Sequence, residues 1–176
     1  MLALTIVDGD ATRPQADAHK IIAHVCNDIG AWGRGFVHAI SRRWPEPERE
    51  FQRWYRTRTT ADFRLGAVQL VQVTADTWVA NMVGQHGIAT RDGGVRTDAG
   101  LERSHVPPIR YDAVRDCLRV VAAHALELNA SVHMPRIGCG LAGGTWDRIE
   151  PLIVEALCAR DVRTVVYDYR TGDTPQ

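Results

Sequence analysis

From Met134 to Trp146 the chain reads Met-Pro-Arg-Ile-Gly-Cys-Gly-Leu-Ala-Gly-Gly-Thr-Trp, a short apolar strand running into glycines and then a helix start. Glycine tolerates positive φ and lets the backbone approach a ligand closely, and the first turn of a helix aims unpaired N–H groups at an anion. The segment has the makings of a phosphate cradle. A second such unit lies upstream, where Lys20–Cys26 leads into Asn27-Asp28-Ile29-Gly30-Ala31-Trp32-Gly33-Arg34-Gly35 and another helix. The pair suggests one ligand with two phosphates, held from both sides. Neither loop ends in the Lys-Ser/Thr of a triphosphate-binding loop or keeps the G-x-G-x-x-G order of a dinucleotide fold. A kinase, ATPase or dehydrogenase is therefore disfavoured.

The elements that must carry these loops can be read from periodicity. Leu2–Val7 reads as a buried strand ended by Asp8-Gly9-Asp10, and Lys20–Cys26 as a second strand. Gly35–Trp44 has Phe36, Val37, Ile40 and Trp44 at helical spacing before Pro45 and Pro47. Glu48–Arg58 follows as a helix with Phe51, Trp54 and Tyr55 on one side, and this aromatic side, with Trp44 before it, belongs to the core. Ala67–Val73 and Thr77–Val83 read as adjacent strands around a tight turn. Gly87–Val106 is polar, glycine-rich and almost without aliphatic residues, so it reads as a long loop of the kind that is functional or mobile. Pro108 opens a long helix to about Leu128, with Val114, Leu118, Val121 and Leu128 facing inward. Val132–Ile137 is a strand, Trp146–Cys158 a helix and Arg163–Tyr167 a closing strand, with a frayed tail over 171–176. Alternating strands and helices make an α/β layered fold with a parallel or mixed sheet, and both glycine loops fall at the carboxyl ends of its strands, where such sheets bind ligands.

Composition narrows the function. The 176 residues are 45% hydrophobic, enough for one well-buried domain. Twenty-one basic residues balance 21 acidic ones, so no general attraction to nucleic acid is expected. Lys20 is the single lysine, placed at the start of a strand and poorly sited for catalysis. The four cysteines show no paired spacing and the chain opens without a signal-like segment, which fits reduced thiols in the cytoplasm. No apolar run approaches a membrane span. The seven histidines lack ligand spacing, so neither a metal nor a cofactor is expected.

Gly9-Asp10-Ala11-Thr12, the glycine loop near Gly33, and Pro135-Arg136-Ile137-Gly138-Cys139-Gly140-Leu141 together resemble a macro domain. Ile21–Asp28 with Trp32-Gly33-Arg34-Gly35 is most similar to the branch that holds the terminal ADP-ribose protein glycohydrolase and a chromatin-remodeller macro module. The likeness runs from Leu2 to Tyr169 with the motifs in the family's order. It implies a single macro domain over residues 1–170, a three-layer α/β/α fold with a mixed sheet of about six strands, and a cleft for ADP-ribose.

The resemblance also implies roles. Asp10, with Ala11 beside it, falls where the family reads the adenine amino group, a task suited to a carboxylate acceptor. Asn27 falls at the distal ribose. Gly33, Arg34, Gly35 and Phe36 match the first phosphate loop, and Ile137, Gly138, Cys139, Gly140, Leu141 and Ala142 the second. Tyr167 and Tyr169 fall beside the adenine. The glycohydrolase's lysine and aspartate have no counterpart: their positions fall near Gly84-Gln85-His86 and at Ala142. Asp147 reads as an acidic residue favouring a helix dipole. Gln85 can orient a water without ionising, and His86 can serve as base or proton donor. The expected activity is hydrolysis of ADP-ribosyl esters on glutamate or aspartate of mono-ADP-ribosylated proteins. A non-catalytic reader and an ADP-ribose 1″-phosphate phosphatase remain as alternatives.

Overall fold

The structure is a computed structural model describing residues 1–169; the expected frayed tail lies outside the described residues. The chain runs β1 (Thr5–Asp8), β2 (Lys20–Asn27), α1 (Phe36–Arg43), α2 (Glu46–Arg56), β3 (Val68–Gln72) and β4 (Thr77–Gln85). Three short strands follow, β5 (Ile88–Ala89), β6 (Val95–Thr97) and β7 (Gly100–Glu102). Then come α3 (Tyr111–Leu128), β8 (Ser131–Pro135), α4 (Trp146–Ala156) and β9 (Thr164–Asp168). The main sheet has six strands in the order β1-β9-β8-β2-β4-β3. All its pairings are parallel except β3 with β4, which close around the turn expected between them.

Parallel strands are covered on both faces, and β2 shows how the sequence meets that demand. Successive side chains point to opposite faces. Ile21 and Ala23 enter the cluster under α3 and α4, with Leu118, Val121 and Ile153; Ile22 and Cys26 enter the cluster under α1 and α2, with Ile40 and Phe51. The aromatic side of α2 joins this second cluster through Trp54 and Tyr55, as the sequence implied. Helix α3 ends where Asn129 takes a left-handed φ of 49°, a conformation asparagine tolerates better than most residues.

Lys20 begins β2, at the end of the sheet away from the glycine loops. Its ammonium donates to the carbonyls of Ala16 and Ala18 and to the Asp76 carboxylate at 2.9 Å. This ion pair holds the Asp76 carboxyl well below the usual carboxylate range, with Thr74 and Thr77 adding hydrogen bonds.

Two expectations need correction. The first strand is not buried: β1 lies at the sheet edge, pairs with β9 alone, and exposes all of Thr5–Asp8. Gly87–Val106 is not a featureless loop. Strands β5, β6 and β7 form a small antiparallel sheet of their own, a flap whose strands of two or three residues are too short to show alternation.

Candidate functional site

The first glycine loop leaves β2 at Asn27. That side chain shapes the loop: its Nδ2 donates to the Ala31 carbonyl, and its Oδ1 accepts from the amides of Ile29 and Ala31. One Nδ2 hydrogen is left for a ligand. Gly30 turns with φ 69° directly over the Tyr55 ring, where a Cβ would stand 2.3 Å from ring carbon. Trp32 is buried in the loop, donating from Nε1 to Ser41 Oγ at 2.8 Å. The loop ends at Gly35, with φ 79° and ψ −141°, as the N-cap of α1. This cap makes no side-chain hydrogen bond and the first turn carries no acidic residue. The positive end of α1 is thus left open to an anion.

The second loop leaves β8 at Pro135. The Arg136 guanidinium is clamped there by the Asp168 carboxylate, at 2.5 and 2.8 Å, and lies 4.5 Å over the Trp146 ring. Gly138 turns with φ 70°, and a Cβ on it would stand 2.6 Å from Ile109 Cδ1. Ile137 and Ala142 point into the main core, so they can offer a ligand only backbone. Cys139 is half-buried, and burial raises its thiol above the ordinary value, which removes it as a thiolate nucleophile at neutral pH. The start of α4 is not open in the way that of α1 is. The Thr145 amide donates to the Tyr111 hydroxyl, and Asp147 occupies the first turn in the role expected of it.

These loops meet. A Cβ on Gly35 would lie 4.0 Å from Leu141 Cδ1, so the first loop faces the second across a narrow gap. Among the described residues, the amides of Gly33, Arg34, Gly35, Phe36, Gly140, Leu141 and Ala142 donate to no group of the chain. On one side of the gap a hollow is lined by Gly9, Asp10, Ala11, Gly35, Phe36, Pro135, Tyr167 and Tyr169. On the other a second hollow is lined by Asn27, Trp32, Gly33, Arg34, Gln85, Leu141 and the flap residues Thr90, Arg91 and Arg96.

In the first hollow, Asp10 Oδ1 accepts from the amide and hydroxyl of Thr12, at 2.8 and 2.7 Å. Among the described residues, its Oδ2 has only Arg13, at 3.9 Å, as a charged neighbour. Asp10 is therefore a turn former with one oxygen to spare. Tyr167 is buried, its hydroxyl 2.8 Å from His133 Nδ1, whereas Tyr169 is half exposed. In the second hollow, Gln85 Nε2 donates to the Gly87 carbonyl at 2.9 Å. This fixes the carboxamide and leaves Oε1 as acceptor.

His86 does not line the hollow beside Gln85. Its Nδ1 lies 2.7 Å from Asp28 Oδ2 and its Nε2 3.8 Å from Glu102, while Asp28 Oδ1 accepts from the Gly87 amide. The side chain tethers the flap to the first loop. Asp98 makes a second tether by accepting from the Tyr55 hydroxyl at 2.6 Å beside Arg58. Sequence reasoning missed Trp32, Thr90, Arg91 and Arg96. An aromatic residue caught between Gly30 and Gly33 was a usable signal for the first; the other three depend on a flap that the sequence does not announce.

Replacing Gly138 with alanine forces a side chain into a left-handed turn and against Ile109. The expected cost is about 2 kcal/mol of stability, read as a lower midpoint in denaturant unfolding; an unchanged midpoint would show that the loop relaxes freely.

The chain matches no family model. Over 96% of its length it is 50% identical to a macrodomain protein from Streptomyces coelicolor, covering 100% of that chain with a TM-score of 0.79. The chain is a macro domain. Over 98% of its length it is 33% identical to Chromodomain-helicase-DNA-binding protein 1-like of Danio rerio, spanning only 16% of that relative. A shorter stretch of the macro domain, 65 residues or 36% of the chain, is 37% identical to ADP-ribose glycohydrolase OARD1 of Bos taurus and covers 41% of it. The mixed six-stranded sheet with four helices is the macro-domain architecture, as the motifs implied.

Proposed function

We propose that this macro domain binds ADP-ribose and hydrolyses the ester that joins it to glutamate or aspartate side chains. One observation carries the reading: two hollows flank a gap walled by uncapped main-chain amides. ADP-ribose is a matching dumbbell, a purine nucleoside and a second ribose joined by a diphosphate. The hollow of Asp10, Phe36, Tyr167 and Tyr169 suits adenosine, with Asp10 Oδ2 as acceptor for the purine amino group. The amides of the two loops, with Arg34, suit the diphosphate. The distal ribose then falls beside Asn27 and Gln85.

Gln85 is the group we assign to the chemistry. With Nε2 committed to Gly87, Oε1 can accept from a water and hold it against the anomeric carbon. The water oxygen forms the new bond to that carbon, the bond to the carboxylate oxygen breaks, and the carboxylate leaves with the bonding pair. The proton goes to solvent or to the departing carboxylate. An acyl ester departs without strong acid assistance, so positioning in a polar, preorganised cleft can supply catalysis without a lysine or an acidic partner at Ala142. His86 acts through the flap, as a positioning residue.

Calorimetry with ADP-ribose tests the binding, and no measurable heat of binding would end the proposal. Gln85→Ala is expected to slow release of ADP-ribose from glutamate-modified protein by about a hundredfold, with ADP-ribose affinity kept within about threefold. Release at the parent rate would remove Gln85 from the mechanism. No release by the parent protein would leave the reader function, which the absent lysine and the core placement of Ala142 favour.

A further inference from the structure

The flap carries charges of both signs. Two of its three acids are engaged away from the cleft: Asp98 with Tyr55 and Arg58, and Glu102 near His86 and accepting from Thr97; the third, Asp92, is exposed in the turn between β5 and β6. Two of its bases, Arg91 and Arg96, line the hollow that holds Gln85. Both are exposed, and among the described residues neither guanidinium has an ion pair or a hydrogen bond. No carboxylate lines that hollow. Arg34 and the loop amides already answer the diphosphate, so Arg91 and Arg96 are left for a further anion at the end of the cleft where the acceptor is attached.

We infer that Arg91 and Arg96 select ADP-ribosyl groups carried on acidic stretches of polypeptide, by pairing with carboxylates that flank the modified residue. This rests on the ADP-ribose reading above and names the class of macromolecule that the same site takes. The exposure of both arginines suits an extended anion lying across the rim rather than a single phosphate enclosed at the anomeric carbon. A nucleic acid is the poorer fit: formal net charge is zero, giving no long-range field, and the one aromatic side chain lining this hollow, Trp32, is buried instead of offering a stacking face. Rim ion pairs of this kind act mainly on selectivity and salt dependence.

The test is a binding comparison, independent of turnover. Two peptides carry ADP-ribose on serine, a linkage without the ester, and differ only in flanking Asp/Glu against Ser/Ala. Fluorescence anisotropy at low salt is expected to give about fivefold tighter binding of the acidic peptide, fading as salt is raised. The ratio of the two affinities, rather than either one, is the readout. It should fall toward one in Arg91→Ala/Arg96→Ala and turn to favour Lys-flanked peptide in Arg91→Glu/Arg96→Glu, with thermal melts confirming that both variants fold. A ratio near one in the parent, a ratio indifferent to both substitutions, or preference for an ADP-ribosylated oligonucleotide overturns the inference. If free ADP-ribose binds while the flanks make no difference, this inference alone falls; if ADP-ribose does not bind, the proposed function falls with it.

Discussion

Gly35→Val is expected to weaken ADP-ribose binding by at least about a hundredfold while the domain stays folded. At φ 79° and ψ −141° the backbone of Gly35 occupies a region essentially closed to residues with a Cβ. Relief of that strain would rotate the loop that presents the amides of Arg34, Gly35 and Phe36. The valine methyls would also enter the gap toward Leu141, which a bare Cβ already approaches to 4.0 Å. That gap is the proposed passage for the diphosphate. The lesion lies at the surface and touches neither core cluster, so the thermal midpoint should fall by only a few degrees. Calorimetry beside a thermal melt separates the two effects. Binding within threefold of the parent would mean that the diphosphate does not pass between Gly35 and Leu141.

The second large effect is on stability below neutral pH. His24 and His133 are both buried in the sheet and lowered to about 4. For His24 the cause is burial, partly offset by the hydrogen bond to Asn81; for His133 it is burial and then the charges of Arg163 and Lys20. Each has a folded-state value below that of the unfolded chain, so the unfolded state binds more protons between them and stability rises with pH in that window. The contribution is complete above about pH 6.5 and is lost as pH falls toward 4. A shift of this size is worth about 3 kcal/mol per histidine, a large part of the 5–15 kcal/mol typical of a domain. Asp62 and Asp76 are held low by hydrogen bonds and begin to matter only beneath this range. Urea unfolding at pH 7, 6, 5 and 4 should therefore show a steep decline, and His24→Gln or His133→Gln should each flatten it by roughly half. A free energy that stays constant from pH 7 to 5 would contradict the argument.

Much of this molecule was legible because its strongest signals are local. Gly35 and Gly138 mark positive-φ turns, and each lies in a loop that follows a largely apolar strand, so the sequence showed both loops and the sheet that aligns them. What escaped depends on contacts made at long range. Nothing near His86 reveals that Asp28 will lie against it, and without that partner a histidine at a strand end reads as a proton carrier. Arg91 and Arg96 reach the cleft only because β5, β6 and β7 pair, and such brief strands leave no periodic trace. Asn27 spends most of its hydrogen-bonding capacity on Ala31 and Ile29, a competition invisible until the loop closes. Thr5–Asp8 misled for the opposite reason: an apolar run says strand, but whether a helix covers it is decided by its place in the sheet.

The solitary lysine carries a regulatory consequence. Its amine is spent on Asp76 and two carbonyls at the pole opposite the glycine loops, and every other cationic side chain able to approach the mouth is arginine or histidine. Acetylation or ubiquitin attachment at a lysine side chain therefore has no foothold beside this cleft. Any covalent control of ligand access must use another chemistry.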